Sequence, residues 1–167
     1  MLLKLKLHFQ QLKYFHVNFK ETQVTMKLPQ KWDHKERLIN WNPDPDGPPE
    51  YISPYHKSAF WNFAAQGTRD LKIRALREVA ENYDFDGIEV DYARNSPVLP
   101  PGQQWEQREA LTEFMRTLRR NLQQVAKQRG RPLLIGARVP ETIVGCHFDG
   151  IDIELWMRER LVDALTL

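Results

Sequence analysis

The sequence has a single cysteine and no long apolar run, and each shortage excludes a class of protein. Cys146 has no partner for an internal disulfide and leaves no cysteine-rich metal motif. No apolar run approaches the roughly 18 residues of a membrane-spanning helix, and Lys4 and Lys6 interrupt the apolar start where a signal peptide needs an unbroken core. We therefore expect a soluble chain with no signal peptide and no membrane partner, cytoplasmic by default.

Other functional classes lack their signatures as well. The net charge is only +2 over 167 residues, and lysine and arginine are spread among aspartate and glutamate, so nucleic acid is not an expected partner. His16, His34, His56 and His147 do not have the spacing of metal ligands, and the sequence contains no glycine-rich phosphate loop. We therefore expect neither a metal nor another cofactor.

The composition is that of a globular chain, with 41% hydrophobic and 28% charged residues, and its length suits one core. Alternating apolar and charged residues predict a strand over residues 3–9. Six prolines between residues 29 and 55 predict a long ordered loop. We treat residues 1–58 as an N-terminal segment with a proline-rich loop, and residues 59–167 as the repeating part of the fold.

An acidic strand predicted over residues 87–92 is the feature around which the chain is organised. Side chains alternate between the faces of a strand, so Ile88 and Val90 share one face while Glu89 and Asp91 share the other. A buried acid is costly unless it is paired, hydrogen-bonded or used in function. Two interpretations remain open, namely a carboxylate pair neutralised by nearby arginines and a functional site.

Helical and strand patterns alternate along the rest of the chain. Thr68 is a candidate N-cap of a helix whose apolar face reaches Tyr83, Gly130 is the expected stop of a helix over residues 104–128, and Asp152 is a candidate cap of a short third helix. Strands are predicted at residues 60–63, 87–92, 133–139 and 161–167. Repeated βα units predict an α/β fold with a parallel sheet covered by helices.

Several segments, in this order, carry a family resemblance: TRD at 68–70, YDFDGIEVDYAR at 83–94, RPLLIGARVP at 131–140, GID at 150–152 and LVD at 161–163. With them, the chain resembles the glycoside-hydrolase-like TIM-barrel proteins, also called family 10-like glycosyl hydrolases, over about residues 59–167. The resemblance implies a (β/α)₈ TIM barrel. Because such a barrel usually takes about 250 residues, we expect a partial barrel of about three βα units and the start of a fourth, incomplete at both ends.

The family fold sorts the acidic residues by their position along the strands. In such barrels the chemistry lies at the C-terminal ends of strands, while residues at the strand beginnings serve stability. Asp91 is therefore the first candidate for a catalytic base or nucleophile, and Glu89, one layer deeper, is the second. Asp86 and Asp163 precede their strands and are expected to be structural.

Other residues are expected to bind substrate around this pair: Asn62, Arg94, Arg138 and Glu141. Arg138 can hold either a protein carboxylate or a substrate group. Glu89 and Asp91 are about 6.6 Å apart along a strand, within the roughly 5 to 9 Å that glycoside cleavage uses. Both approach from the same side, so the second carboxylate can instead come from another strand, with Glu141 as one candidate.

Two functions from different classes follow. One is a glycoside hydrolase that acts on carbohydrate by carboxylate acid/base chemistry and is impaired as a fragment. The other is a catalytically silent carbohydrate-binding or interaction protein on the same scaffold. A barrel that cannot close also exposes unpaired strand edges, so we expect self-association through an open sheet edge.

Overall fold

Four strands run parallel in one sheet in the computed structural model, which describes residues 60–93 and 96–167 together with short strands at 14–18 and 38–39. The strands are β1 (Tyr14–Asn18), β2 (Leu38–Ile39), β3 (Phe60–Trp61), β4 (Gly87–Asp91), β5 (Leu134–Arg138) and β6 (Ala164–Thr166). The helices are α1 (Gln66–Asn82), α2 (Arg108–Arg129), α3 (Ile143–Phe148) and α4 (Ile153–Arg158). The described part is therefore a mixed α/β fold.

The parallel sheet has the strand order β1-β4-β5-β6. Parallel neighbours need a crossover connection, and helices supply it: α2 lies between β4 and β5 in the chain, and α3 and α4 lie between β5 and β6. The register places Asp91 beside Arg138 on one side and beside Asn18 on the other. The predicted parallel sheet with helical connections is confirmed for β4, β5 and β6.

The first strand of this sheet is not the one that the sequence pattern indicated. We predicted that residues 60–63 supply a strand of the parallel sheet, but β3 pairs antiparallel with β2. On the side away from β5, the parallel neighbour of β4 is β1, which belongs to the N-terminal segment where we expected no barrel strand. Apolar alternation shows that a strand exists but not which strand it pairs with, so this prediction was wrong. The predicted strand at residues 3–9 and the proline-rich loop lie outside the described residues.

Helix α1 buries one apolar stripe, formed by Leu71, Leu76, Val79 and Ala80. It begins at Gln66 with Ala65 as its N-cap, and no side chain caps it. The predicted N-cap, Thr68, lies inside the first turn and has no exposed surface. Packing of this turn against the core, rather than the capping preference of threonine, decides where the helix starts.

Helix α2 packs beside α1 and ends at the predicted residue. Gly130 has φ 67°, in the left-handed region that glycine adopts without steric cost. The N–H of Arg131 donates to the carbonyl of Ala126 at 3.2 Å, which closes the last turn. The buried stripe of α2 faces the sheet and α1: Leu111, Phe114, Met115, Leu118, Leu122 and Val125.

One face of the parallel sheet completes this core. Ile88 and Val90 on β4, with Ile135 and Ala137 on β5, belong to the same buried cluster as the apolar stripes of both long helices. By strand alternation, the residues between them point to the opposite face, away from α1 and α2. None of the helices among the described residues is long and apolar enough to cross a membrane.

Candidate functional site

The sheet face opposite the helices carries polar side chains in two rows across the strands. Glu89 lies in register with Gly136 and, beyond it, Ala164, and Asp91 lies in register with Arg138 and then Thr166. Paired residues of parallel strands share a face, so these side chains belong to one surface. We call Glu89, Asp91, Arg138 and Thr166 the polar face.

Asp91 and Arg138 form an ion pair between neighbouring strands. Arg138 Nη1 lies 3.5 Å from Asp91 Oδ2, and the Asp91 side chain is 0% exposed while that of Arg138 is 43% exposed. A buried carboxylate needs such a partner because removal from water penalises its charged form. The Tyr92 N–H donates to the Arg138 carbonyl at 2.9 Å, which holds the two strand ends together. Arg138 is therefore one of the nearby arginines that could neutralise the acidic strand, and the carboxylate that it contacts is Asp91.

Glu89 is directed to a different partner on the same face. The Thr166 hydroxyl donates to Glu89 Oε2 at 2.8 Å. The Glu89 side chain passes over Gly136, where an added Cβ would lie 3.3 Å from Glu89 Cγ and 3.4 Å from Oε2. The missing side chain at Gly136 thus leaves the space through which Glu89 crosses β5 to reach β6.

The two carboxylates differ in what an approaching molecule can touch. Asp91 is sealed, whereas Glu89 is half-buried and Arg138 is partly exposed. A ligand on the polar face would therefore contact the Glu89 carboxylate and the Arg138 guanidinium before Asp91. A carboxylate in contact with solvent can exchange a proton with a bound molecule, and a guanidinium can donate hydrogen bonds to hydroxyl groups.

Two of the remaining candidates, Asn62 and Glu141, lie in loops that follow strands. Asn62 comes directly after β3, and its Oδ1 accepts from the Ala64 N–H at 2.9 Å, which supports the turn into α1. Glu141 is exposed in the loop between β5 and α3. Arg94 lies outside the described residues. The roles of Asn62, Glu141 and Arg94 in binding substrate stay predictions.

Two residues that contact Glu89, Thr166 and Gly136, are not indicated as site residues by the sequence patterns above. The patterns place Thr166 and Gly136 only within predicted strands. A glycine inside a strand often marks the close approach of another group, and this signal was available for Gly136. No local signal identified Thr166, because its partner Glu89 is 77 residues away in the chain.

The acids that precede their strands are held by arginines at the opposite end of the sheet. Arg131 contacts both Asp84 and Asp86, and Arg129 Nη2 lies 3.0 Å from Asp84 Oδ1. Asp163 Oδ2 accepts from the Ile135 N–H at 2.7 Å. These contacts connect the beginnings of β4, β5 and β6, as expected for a structural role.

A titratable group away from the polar face connects two loops. The Ser96 hydroxyl donates to Asp149 Oδ1, joining the loop after β4 to the connection between α3 and α4. Burial raises the pKa of the Asp149 carboxyl, and the hydrogen bond from Ser96 opposes that rise. Within residues 60–93 and 96–167 and the two short strands, no group of three or more histidine, cysteine, aspartate or glutamate side chains is arranged to hold a metal ion.

Comparison with known proteins finds distant likeness to solved structures. No family model matches the sequence, and no curated protein matches it. Among solved structures, the chain is similar to a glycoside hydrolase family 18 N-acetylglucosaminidase from Paenibacillus barengoltzii, with a TM-score of 0.48 and 17% sequence identity. The match covers 62% of this chain and 30% of that protein, so the chain spans less than a third of its length.

Proposed function

We propose that the chain is a glycoside-hydrolase-like protein that acts on carbohydrate through the carboxylates of the polar face. The observation that carries the proposal is the placement of Glu89, Asp91 and Arg138 on the one sheet face that the long helices leave free. The sequence resemblance to glycoside-hydrolase-like barrels supports the same substrate class.

The proposed scaffold is part of a (β/α)₈ barrel. In a barrel the helices cover the outside, so the face opposite them is the interior, and functional groups lie at the C-terminal ends of the strands. Asp91 and Arg138 are the last residues of β4 and β5. Their positions are those at which a barrel enzyme carries its chemistry.

The proposed chemistry assigns different tasks to the two carboxylates. Glu89 is accessible, and it exchanges the proton with the glycosidic oxygen or with an attacking water. Asp91 supplies negative charge beneath the sugar and holds Arg138, whose free donors bind sugar hydroxyl groups. For Asp91 itself to act as base or nucleophile, Arg138 has to move from it to the ligand.

The second candidate function is carbohydrate binding without turnover. It is favoured by the complete burial of the Asp91 side chain against Arg138, which leaves Glu89 as the accessible carboxylate of the described polar face. Glycoside cleavage needs two carboxyl groups on opposite sides of the bond. A binding protein needs only the polar face.

The test combines a hydrolysis assay with calorimetric binding on one panel of oligosaccharides and aryl glycosides. Glu89→Gln and Asp91→Asn remove each carboxylate with little change of shape, and Glu78→Gln, at an exposed position on α1, is the matched control. Loss of an acid/base group costs about 10²- to 10⁴-fold in rate. We expect Glu89→Gln and Asp91→Asn to lose turnover and Glu78→Gln to keep it.

The other results of the hydrolysis and binding assays distinguish the two candidate functions or refute them. Binding without turnover that persists in Asp91→Asn establishes the silent binding protein. A wild-type chain that neither binds nor cleaves any member of the panel refutes both functions. Turnover that survives Glu89→Gln and Asp91→Asn unchanged refutes the assignment of the polar face as the site.

A further inference from the structure

Glu89 is in contact with residues of the next two strands of the sheet, Gly136 on β5 and Thr166 on β6. A carboxylate on a flexible side chain explores several rotamers, and catalysis or tight binding requires one of them. On β5, Gly136 leaves the space that the Glu89 side chain occupies, and on β6, the Thr166 hydroxyl meets its Oε2 at 2.8 Å. The three residues lie on three consecutive strands of the same sheet.

The contacts separate Glu89 from the other carboxylate. Asp91 lies against the Arg138 guanidinium, whereas Glu89 accepts a hydrogen bond from the neutral Thr166 hydroxyl. A neutral donor fixes the direction of a carboxylate oxygen without placing a full positive charge against it.

We propose that Thr166 and Gly136 are positioning residues for Glu89. Gly136 keeps the path across β5 open, and Thr166 fixes the direction of Oε2 and with it the orientation of the Glu89 carboxylate on the polar face. This assignment rests on the proposed function, in which Glu89 contacts the carbohydrate. It adds two residues to the site that act through Glu89 and not on the ligand.

The first readout is independent of any activity. Three-bond couplings measured by NMR report the χ1 rotamer of Glu89 in the wild type and in Thr166→Val, which removes the hydroxyl and keeps the side-chain shape. We expect one dominant rotamer in the wild type and in Thr166→Ser, and averaged couplings in Thr166→Val. Gly136→Ala places a methyl group 3.3 Å from Glu89 Cγ and is expected to displace the side chain as well.

The second readout is functional, on the carbohydrate that the wild type binds or cleaves. Loss of one hydrogen bond predicts a fall of about 3- to 10-fold in affinity or in kcat for Thr166→Val. For a cleaved substrate, kcat should fall with KM nearly unchanged, and Thr166→Ser should restore it. Thr117→Val is the matched control, because the Thr117 hydroxyl donates to a glutamate, Glu113, at 3.2 Å on the remote surface of α2.

The two readouts separate failure of this proposal from failure of the proposed function. A wild-type chain without ligand or turnover removes the proposed function, while the couplings still decide whether Thr166 positions Glu89. Identical Glu89 couplings in the wild type and Thr166→Val overturn the positioning role. So does a functional loss in Thr166→Val that Thr166→Ser fails to rescue or that Thr117→Val reproduces.

Discussion

Replacing Arg138 by methionine removes the positive partner of the buried Asp91 carboxylate. The change keeps most of the apolar stem of residue 138 and deletes the guanidinium that lies 3.5 Å from Asp91 Oδ2. The Asp91 side chain has no exposed surface, so bulk water does not directly replace the lost partner. We therefore expect Arg138→Met to destabilise the fold.

The magnitude follows from the separation and the exposure of the two charges. Two unit charges 3.5 Å apart attract each other by about 5 kcal/mol at an effective dielectric constant of about 20. The Arg138 side chain is 43% exposed, so solvent screens part of this attraction. Breaking a fully buried ion pair costs about 3 to 5 kcal/mol of stability, and breaking an exposed pair costs about 0.2 to 1 kcal/mol. The Asp91–Arg138 pair is intermediate in exposure, so we expect its loss to cost about 1 to 3 kcal/mol.

The assay is urea unfolding at pH 7, followed by circular dichroism, of the wild type, Arg138→Met, Asp91→Asn and the double variant. The four free energies of unfolding form a double-mutant cycle, and a coupling energy of about 1 to 2 kcal/mol is expected for residues in contact. Arg120→Met is the matched control, since Arg120 and Glu113 pair at 2.8 Å with side chains 58% and 48% exposed. A coupling energy near zero, or equal losses in Arg138→Met and Arg120→Met, would refute the reasoning.

The remaining predictions concern a buried lysine and the edge strand. Lys72 is 6% exposed, and burial lowers its pKa from 10.5 to about 8. The native state then binds fewer protons than the unfolded chain between these two pH values, so the free energy of unfolding should rise with pH across that window by at most about 3 kcal/mol. Urea unfolding should show that the free energy of unfolding rises less with pH in Lys72→Met than in the wild type. An equally steep rise in the variant would contradict the attribution of this pH dependence to Lys72. On β6, which is the outermost strand of the sheet within the described residues, Leu165 is 38% exposed, and we propose that the chain associates through this edge. Light scattering should show concentration-dependent association that Leu165→Lys weakens. A chain that stays monomeric at every concentration would exclude association through β6.

Local rules in the sequence were sufficient for several elements of the fold. The period of two placed Glu89 and Asp91 on one face of β4, because side-chain alternation depends only on the strand itself. The left-handed Gly130 ends α2, and the Asp152 side chain accepts from the Leu155 N–H at 3.1 Å at the start of α4, as predicted. These features involve residues within one or two turns of each other, so their energetics can be evaluated from a short segment.

Predictions failed where distant packing competed with a local preference. Thr68 has the side chain of an N-cap, but the core buries it inside the first turn of α1. The strand at Phe60–Trp61 exists, but it pairs with β2, and β1 takes the place beside β4. A strand pattern specifies faces and not partners, because backbone hydrogen bonds are the same for every neighbour.

In the candidate site, too, some features follow from the local sequence and others depend on distant packing. The sequence by itself determined that two carboxylates share a strand face, and it identified Arg138 as a possible partner for one of them. Only the tertiary structure decided that Asp91 is sealed against Arg138 while Glu89 crosses Gly136 to Thr166. These choices depend on the register between strands separated by whole helices, and that register is set by the packing of the helices and the shared core, which no single segment contains.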